Sequence, residues 1–159
     1  MANLQDIEAF IRRRSDLWRA GHGADDALVA RAEQFLGVQF PLEYREFLKR
    51  WGTLSIDYFE IYGITGDNFE SSTVPNGIWY TRRKRDRVGL PASLVILHDN
   101  NGDQLYCLET DRPGESRVVT WDVHQRAVTG VRANTFFDFI LNMAKEVEYV
   151  LTLPPPEGL

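Results

Sequence analysis

The segment LHDNNGDQLYCLE (97–109) brings carboxylates, amides and a histidine together, which is the side-chain chemistry of metal sites and of acid–base catalysis. A calcium loop of the EF-hand type needs oxygen ligands at positions 1, 3, 5 and 12, with glycine at position 6. Counted from Asp99, glycine stands at position 4 and Thr110 at position 12, so this pattern fails. Zinc fits no better, because His98 and Cys107 lack a recognised ligand spacing.

A tight turn between two strands explains the same segment better. Asn101-Gly102 is the dipeptide that best tolerates the positive φ angles of a hairpin turn, and apolar residues flank it on both sides. A carboxylate pair of the glycosidase type stays open as an alternative, although two carboxylates near a turn are common. We therefore predict a turn here, without a metal ligand or a catalytic residue.

The rest of the chain offers little catalytic chemistry. Gly63 and Gly66 are followed by no lysine at the place that a phosphate-binding loop requires. Cys107 lies in an alternating apolar segment, which favours a core thiol over a nucleophile. The sequence thus predicts no enzyme, no metal and no cofactor. A small hydrolase that uses His98 with Asp99 or Asp103 is the weakest alternative.

Length and composition indicate one domain without a membrane segment. The chain has 159 residues, 43% of them hydrophobic, and a chain of about 150 residues buries about 70% of its unfolded surface. A single cysteine, Cys107, forms no internal disulfide, which favours a reducing compartment. No secretion signal and no run of about 18 apolar residues is visible. We expect a cytoplasmic protein that does not enter a membrane.

The charge is distributed unevenly along the chain. The formal net charge is −5, yet RRKRDR (82–87) alone holds five of the 18 basic residues. The remainder has 13 basic against 22 acidic residues, a formal charge of −9. Residues 57–70 contain four carboxylates and no lysine or arginine, and residues 99–122 contain six against two arginines. Such a surface repels nucleic-acid phosphates and attracts basic partners. Ordinary solvation of a mildly acidic protein is the alternative and the commoner explanation.

Three interpretations of the basic segment 82–87 stay open. It is a solvated helix face, or it binds nucleic acid together with Trp79 and Tyr80, or it forms salt bridges with acidic segments of its own domain. The first is the commonest for one basic helix turn in an acidic protein. We therefore predict no direct contact with nucleic acid.

The apolar spacing predicts the elements that must position these residues. Helical periods cover 3–18, a second helix that begins after Asp25 and ends at Gly37, and a third from Pro41 to Gly52. IDYFEIYG (56–63) alternates as a strand would. A short helix falls within 77–87, and LVILHD, QLYCLE and SRVVTWD follow as three strands.

The last helix is predicted over 135–151, with a buried stripe of Phe136, Phe139, Ile140, Met143, Val147 and Val150. The order describes an α+β fold: N-terminal helices, a central antiparallel meander sheet, and a C-terminal helix packed on one sheet face. The other face is expected to be open, because antiparallel sheets tolerate one wet side. Residues 1–151 form a single domain with its core in 24–150, followed by a proline-rich tail, 152–159.

An ordered set of motifs resembles the SUKH superfamily, the Smi/Knr-type immunity-protein family. EQFLGVQFPLEYREFLKRWG (33–52) is similar to its signature, carried here by Leu36, Gly37, Phe40, Pro41, Tyr44, Phe47, Leu48 and Gly52. EIYGI (60–64), Gly102-Asp103, VVTWD (118–122) and TFFDFI (135–140) resemble its later pieces in order. One departure is Glu109, where an aspartate is more usual. The shared residues are helix ends, turns and strand positions, so the resemblance supports the fold more firmly than an activity.

The resemblance implies a binding protein. Bacterial members are generally immunity proteins that bind and neutralise a cognate toxin, often a nuclease, whereas fungal relatives act as scaffolds in cell-wall synthesis. A basic toxin cleft would be met by an acidic surface, which steers encounter. The predicted partner-binding residues are the carboxylates Asp57, Glu60, Asp67, Glu70, Asp99 and Asp103 and the aromatic anchors Tyr58 and Tyr62. Strand packing is the alternative role of either tyrosine, and the oligomeric state stays open.

Overall fold

The computed structural model describes residues 1–158 and confirms the α+β class with two antiparallel sheets. Three strands form the first sheet in the order β1-β2-β3, and four form the second in the order β4-β5-β6-β7. The elements in chain order are α1 (Leu4–Arg13), β1 (Trp18–Ala20), α2 (Asp26–Leu36), α3 (Leu42–Arg50), β2 (Leu54–Ile56), β3 (Phe59–Ile61), α4 (Gly77–Val88), β4 (Leu94–Asn100), β5 (Gln104–Glu109), β6 (Val118–Asp122), β7 (Ala127–Ala133) and α5 (Phe136–Thr152).

The predicted ends of α2 and α3 are confirmed. The Asp25 side chain accepts a hydrogen bond from the backbone N–H of Leu28, which satisfies one of the unpaired donors at a helix start. Gly37 ends α2 in the left-handed conformation at φ 68°. Pro41 directly precedes α3, whose Tyr44, Phe47 and Leu48 are fully buried.

The first helix is shorter than predicted. It ends at Arg13, and Trp18 starts strand β1, where it pairs with Ile56. Leu17 and Trp18 are both buried, and Trp18 packs edge-on against Phe10 with ring centroids 5.7 Å apart. The pairing of Trp18 with Ile56 thus overrides the local helical pattern.

The prediction of one strand over 56–63 is wrong, because the chain reverses inside it. β2 ends at Ile56 and β3 begins at Phe59, which pairs with Ile56 across a tight turn. Asp57 makes the turn at φ 52°, a left-handed conformation that aspartate adopts more easily than most residues. Ile56 and Phe59 are therefore both buried, and Tyr58 lies exposed at the tip.

The four-stranded sheet is covered on both faces, so the expectation of one open face is wrong. Val95, Leu97, Tyr106, Leu108 and Val118 belong to the main core, which includes the buried face of α5. On the opposite face a second core contains Tyr62, Leu90, Leu94, Ile96, Leu105, Cys107, Val119 and Trp121. Helix α4 packs against this second core through Tyr80 and Val88. Its Thr81 hydroxyl also accepts a hydrogen bond from the backbone N–H of Ile96 at 2.9 Å.

Strand β7 was missing from the predictions. Its residues 127–131 are all exposed. The segment AVTGVRA therefore lacks the alternation of apolar and polar residues by which a strand is predicted from sequence. It pairs with β6 as an edge strand.

In α5 the predicted buried stripe is confirmed up to Val147, but Val150 is exposed because the helix continues past the core. No helix in residues 1–158 combines the length and apolar character that a bilayer crossing requires.

Glycine permits a close backbone crossing where α3, β3 and α4 meet. A Cβ at Gly63 would overlap the carbonyl oxygen of Gly52, and one at Gly77 would lie 2.9 Å from the carbonyl oxygen of Ile96. Backbone bonds form at this crossing: Ile64 N–H donates to Gly52 at 3.1 Å, and Gly77 N–H donates to Gly63 at 2.8 Å. These contacts explain why Gly63 and Gly77 tolerate no side chain.

We expect Gly63→Ala to lower the free energy of unfolding by about 3 kcal/mol, because a methyl group must push two backbone segments apart. Chemical denaturation followed by circular dichroism measures the loss. Gly66→Ala is the matched control three residues away, since no atom lies within 4 Å of a Cβ there and its φ is not left-handed. It should leave stability unchanged or raise it by up to about 1 kcal/mol. Equal losses in both variants would contradict the close-crossing account.

Candidate functional site

The outer edge of β4 joins the two sheets and orients the first group of predicted residues. The backbone N–H of Tyr62 donates to the carbonyl of Leu97 at 2.7 Å. The His98 ring donates from Nδ1 to the carbonyl oxygen of Glu60 at 2.8 Å and stacks on Phe59, with ring centroids 4.0 Å apart. Glu60 therefore lies next to His98, with its carboxylate exposed to solvent.

Asp99 points to the other side of the sheet from His98. The strand register shifts between Ile96 and His98, and successive residues of a strand face opposite sides. His98 consequently contacts Phe59 and Tyr106 on the main-core side. The Asp99 carboxylate accepts a short hydrogen bond from the Tyr80 hydroxyl on the α4 side. The hydrolase alternative used His98 with Asp99 or Asp103. Asp99 faces the side of the sheet opposite His98, and Asp103 is engaged by His124 instead.

The turn after β4 has the predicted conformation. Asn101 and Gly102 adopt φ values of 58° and 79°. Asp99 Oδ1 accepts a hydrogen bond from the Gly102 N–H at 2.7 Å, so the carboxylate also stabilises the turn. Asp103 pairs with His124, whose Nε2 lies 2.9 Å from Asp103 Oδ1. The polar cluster of the sequence is thus divided between a turn, an aromatic neighbour and a surface ion pair.

An aromatic cleft opens beside Asp99. Its volume is about 500 Å³, and its lining residues are Tyr62, Thr73, Val74, Trp79, Tyr80, Asp99, Asn101 and Gly102. The Tyr62 and Tyr80 rings meet nearly at right angles with centroids 5.8 Å apart. Burial raises the pKa of Tyr80, and its hydrogen bond to Asp99 raises that pKa further. Sequence reasoning did not find this cleft, because 62, 73–74, 79–80 and 99–102 are separate segments.

The two predicted aromatic anchors differ in exposure. Tyr62 is 6% exposed and packs in the second core, so strand packing is its main role. Tyr58 is 56% exposed at the β2–β3 turn. Burial raises the pKa of Tyr58, and the nearby Glu146 and Asp57 carboxylates add to the increase. Of these two tyrosines, Tyr58 offers a partner the larger aromatic surface.

The predicted carboxylates do not form one cluster. Asp57 lies at the β2–β3 turn, and Glu60 and Asp99 flank Tyr62. Burial raises the pKa of Tyr62, and the two carboxylates raise it further. Asp67 and Glu70 lie in the loop before α4, where the Asp67 carbonyl accepts a hydrogen bond from Arg31. Five of the six form no salt bridge with any residue from 1 to 158; Asp103, paired with His124, is the exception.

The basic segment 82–87 stabilises the fold through backbone carbonyls. Arg85 donates to the carbonyls of Leu36 at 2.6 Å and Ala92 at 2.7 Å, and Arg82 donates to Phe35 at 3.3 Å. Two of these acceptors end α2, where helix carbonyls lack partners and cations are favourable. The alternative in which this segment forms salt bridges with acidic segments is wrong, since no such pair joins residues 82–87 to a carboxylate in the described chain.

Glu109 has a structural role that accounts for its departure from the motif. Its carboxylate forms two hydrogen bonds with Arg117, both at 2.8 Å, and a further ion pair with Arg112 at 3.1 Å. The residue is 8% exposed, so the two arginines compensate a buried charge. Within residues 1–158, no three histidine, cysteine or carboxylate side chains converge in the manner of a metal site.

Fold and surface define a small α+β protein with an acidic exterior and a shallow aromatic cleft. The chain matches the family model SUKH_5, described as SMI1-KNR4 cell-wall, over residues 6–145. It therefore belongs to the SUKH superfamily. A crystal structure of a protein from Pseudomonas syringae pv. tomato is similar, with a TM-score of 0.64 and 18% identity over 85% of this chain and 96% of that chain. At this identity the similarity concerns the fold alone.

We expect Arg85→Met to destabilise the protein by about 1 to 2 kcal/mol, because it removes two charge-assisted hydrogen bonds and leaves carbonyls of α2 and of the α4–β4 loop without a donor. Thermal unfolding measures the effect. Arg87→Met is the matched control on the same helix, exposed and without a side-chain hydrogen bond in the described residues. If both variants unfold at the same temperature as the parent, the carbonyl contacts contribute nothing.

The pKa values of two histidines should move in opposite directions from the ordinary 6.5. Burial lowers the pKa of His98, whereas the hydrogen bond to Asp103 raises the pKa of His124. Protonation of His98 requires either a buried charge or exposure of the ring. The stability that the neutral, buried ring contributes is therefore lost as pH falls from about 6.5 through its lower folded pKa. The contribution of His124 to stability has the opposite pH dependence. It is present below about 6.5 and is lost as pH rises through the raised folded pKa.

A titration of the ring protons by NMR tests both shifts in one sample. Asp103→Asn should lower the pKa of His124 and leave that of His98 unchanged, because the two rings share no partner. A pKa of His98 above 6.5 would contradict the buried, neutral ring.

Proposed function

We propose that this protein is a cytoplasmic immunity protein that binds a cognate toxin domain and neutralises it without turnover. The toxin domain we propose is a nuclease with a basic cleft. The observation that supports this most directly is the set of five predicted carboxylates that no cation of residues 1–158 neutralises. The SUKH family membership supports the same class, since bacterial members generally act by binding.

The electrostatic argument concerns both partners. A nuclease must hold a polyanion, so its active cleft carries cationic side chains. Acidic groups that are exposed and unpaired keep their full charge and attract such a cleft over about 10 Å at 0.1 M salt. The basic segment 82–87 offsets part of this field beside the loop before α4, because Arg82 and Arg83 line one cleft together with Glu70.

The geometry supports one contact region better than the others. Asp57, Tyr58 and Glu60 follow one another along the β2–β3 hairpin, and Glu60 and Asp99 lie on adjacent segments around Tyr62. An exposed aromatic ring between carboxylates is a composition that protein interfaces use, since the ring supplies contact area and the charges set orientation. Asp67 and Glu70 extend the acidic surface along the loop before α4.

A scaffold role in cell-wall synthesis is the second candidate, and the family description as SMI1-KNR4 cell-wall favours it. The sheet face opposite the main core is filled by the second core and is not available to such a partner. A scaffold would instead use the exposed residues of β7, including Val128 at 49% and Val131 at 51% exposure. Purification from the native host with cell-wall synthesis proteins, and without a toxin, would support the scaffold.

We expect a triple variant, Asp57→Asn, Glu60→Lys and Glu70→Lys, to slow association with the toxin domain at least about tenfold at low salt. Asparagine is chosen at position 57 because it tolerates the left-handed φ found there. Surface plasmon resonance at several salt concentrations measures the association rate, and the difference should shrink as salt rises.

A charge-matched control, Asp86→Asn, Asp111→Lys and Glu157→Lys, makes the same change of charge at three other exposed carboxylates, which form no salt bridge in the described residues. It should keep the parental association rate within about threefold, since its charges lie away from the hairpin. The toxin domain for this experiment is the one encoded by the neighbouring reading frame. If co-expression with this protein fails to protect cells and no complex forms, the immunity role is wrong.

A further inference from the structure

We propose that the aromatic cleft binds the side chain of an arginine that the partner protein presents. The inference rests on the proposed function and adds the chemistry of one contact. It depends on three properties of the cleft: a negative charge, aromatic ring faces and a hydrogen-bond acceptor that is held in place. The residues that line the cleft come from the segments 62, 73–74, 79–80 and 99–102.

The charge of the cleft comes from one residue. Asp99 is the only lining residue with a formal charge, and it makes no salt bridge with a cation of residues 1–158. Each carboxylate oxygen offers two lone pairs, and each accepts one hydrogen bond, from Tyr80 at Oδ2 and from Gly102 at Oδ1. Each oxygen therefore keeps one acceptor position. A cation is the ligand that such a carboxylate favours in a partly buried site.

Aromatic rings form much of the remaining wall. Trp79, Tyr80 and Tyr62 line the cleft, and the ring centroids of Trp79 and Tyr80 are 5.9 Å apart. A planar guanidinium stacks on such faces and simultaneously forms two hydrogen bonds with a carboxylate, which a lysine ammonium does not do. Arg83 lies over Trp79 at 5.4 Å without lining the cleft, so this indole already accommodates a guanidinium on another side.

The acceptor is held in place before a ligand arrives. The Tyr80 hydroxyl and the Gly102 N–H fix the Asp99 carboxylate from two sides, and the turn at Asn101-Gly102 has a defined backbone conformation. Binding therefore costs little conformational entropy of the site. The volume of about 500 Å³ lies within the range of 300 to 1,000 Å³ that is typical of ligand pockets.

The first test uses two blocked tripeptides, acetyl-Gly-Arg-Gly-amide and its citrulline counterpart, added to the ¹⁵N-labelled full chain. Citrulline has the shape of arginine without its charge. We expect saturable shifts of the Trp79 indole N–H and the Gly102 amide with the arginine peptide, and at least about tenfold weaker binding of the citrulline peptide. Equal binding of the two, or shifts confined to other residues, would overturn the proposal.

The second test changes the site. Asp99→Asn keeps an oxygen that accepts from Gly102 and should weaken binding of the arginine peptide about tenfold. Asp86→Asn removes a charge from helix α4 outside the cleft lining and should leave it unchanged. The amide spectra of both variants must match the parent elsewhere, which separates loss of the site from loss of the fold. An Asp99→Asn variant that binds as the parent does would refute the role of the carboxylate.

The two proposals fail separately. If the toxin domain binds tightly and the arginine peptide does not compete with it, the cleft proposal is wrong and the immunity role stands. If the arginine peptide binds in the cleft and the toxin domain does not bind the protein, the site stands and the immunity role is wrong. Competition between toxin and arginine peptide, absent with the citrulline peptide, supports both.

Discussion

The outer edge of β4 is the constraint on which the architecture depends. An edge strand has backbone groups that must find partners elsewhere, and here two other elements supply them, while a side chain of β4 adds a third contact. Tyr62 of the segment after β3 donates to Leu97, Thr81 of α4 accepts from Ile96, and the His98 ring donates back to Glu60. The three-stranded sheet, the four-stranded sheet and α4 are thereby joined along one line. The aromatic cleft forms where this line ends, at Asp99.

The distribution of charge follows from how the basic residues are used. Arg85 and Arg82 are directed at the carbonyl end of α2, and Arg117 and Arg112 compensate the buried Glu109. Cations that support the interior do not neutralise the carboxylates of the β2–β3 hairpin and of the loop before α4. An acidic surface thus remains although the sequence contains 18 basic residues. This surface is the property that the proposed binding role uses.

Strand β7 shows how the exposed side of the sheet avoids unwanted pairing. Its register with β6 shifts twice, between Val118 and Val119 and between Thr120 and Trp121. Such irregularities twist an edge strand away from a flat partner, and Arg132 adds a charge whose guanidinium lies over the Tyr106 ring at 4.4 Å. The side of the molecule with the least buried strand is therefore a poor template for edge-to-edge association. The hairpin and the cleft are better suited to specific contacts.

The sequence by itself determined the elements whose signals are local. Asp25, Gly37 and Pro41 mark helix ends through hydrogen bonding and φ, and Asn101-Gly102 marks a turn in the same way, so these predictions are confirmed. The predicted class of fold followed from the order of such elements. Contacts between distant segments were not readable, because no local pattern encodes them. The reversal at Asp57, the strand at Trp18, the cover of α4 over the second sheet face and the meeting of Asp99 with Tyr80 were decided by the tertiary structure. Each of these depends on a partner at least 15 residues away or on a backbone conformation that several residue types adopt.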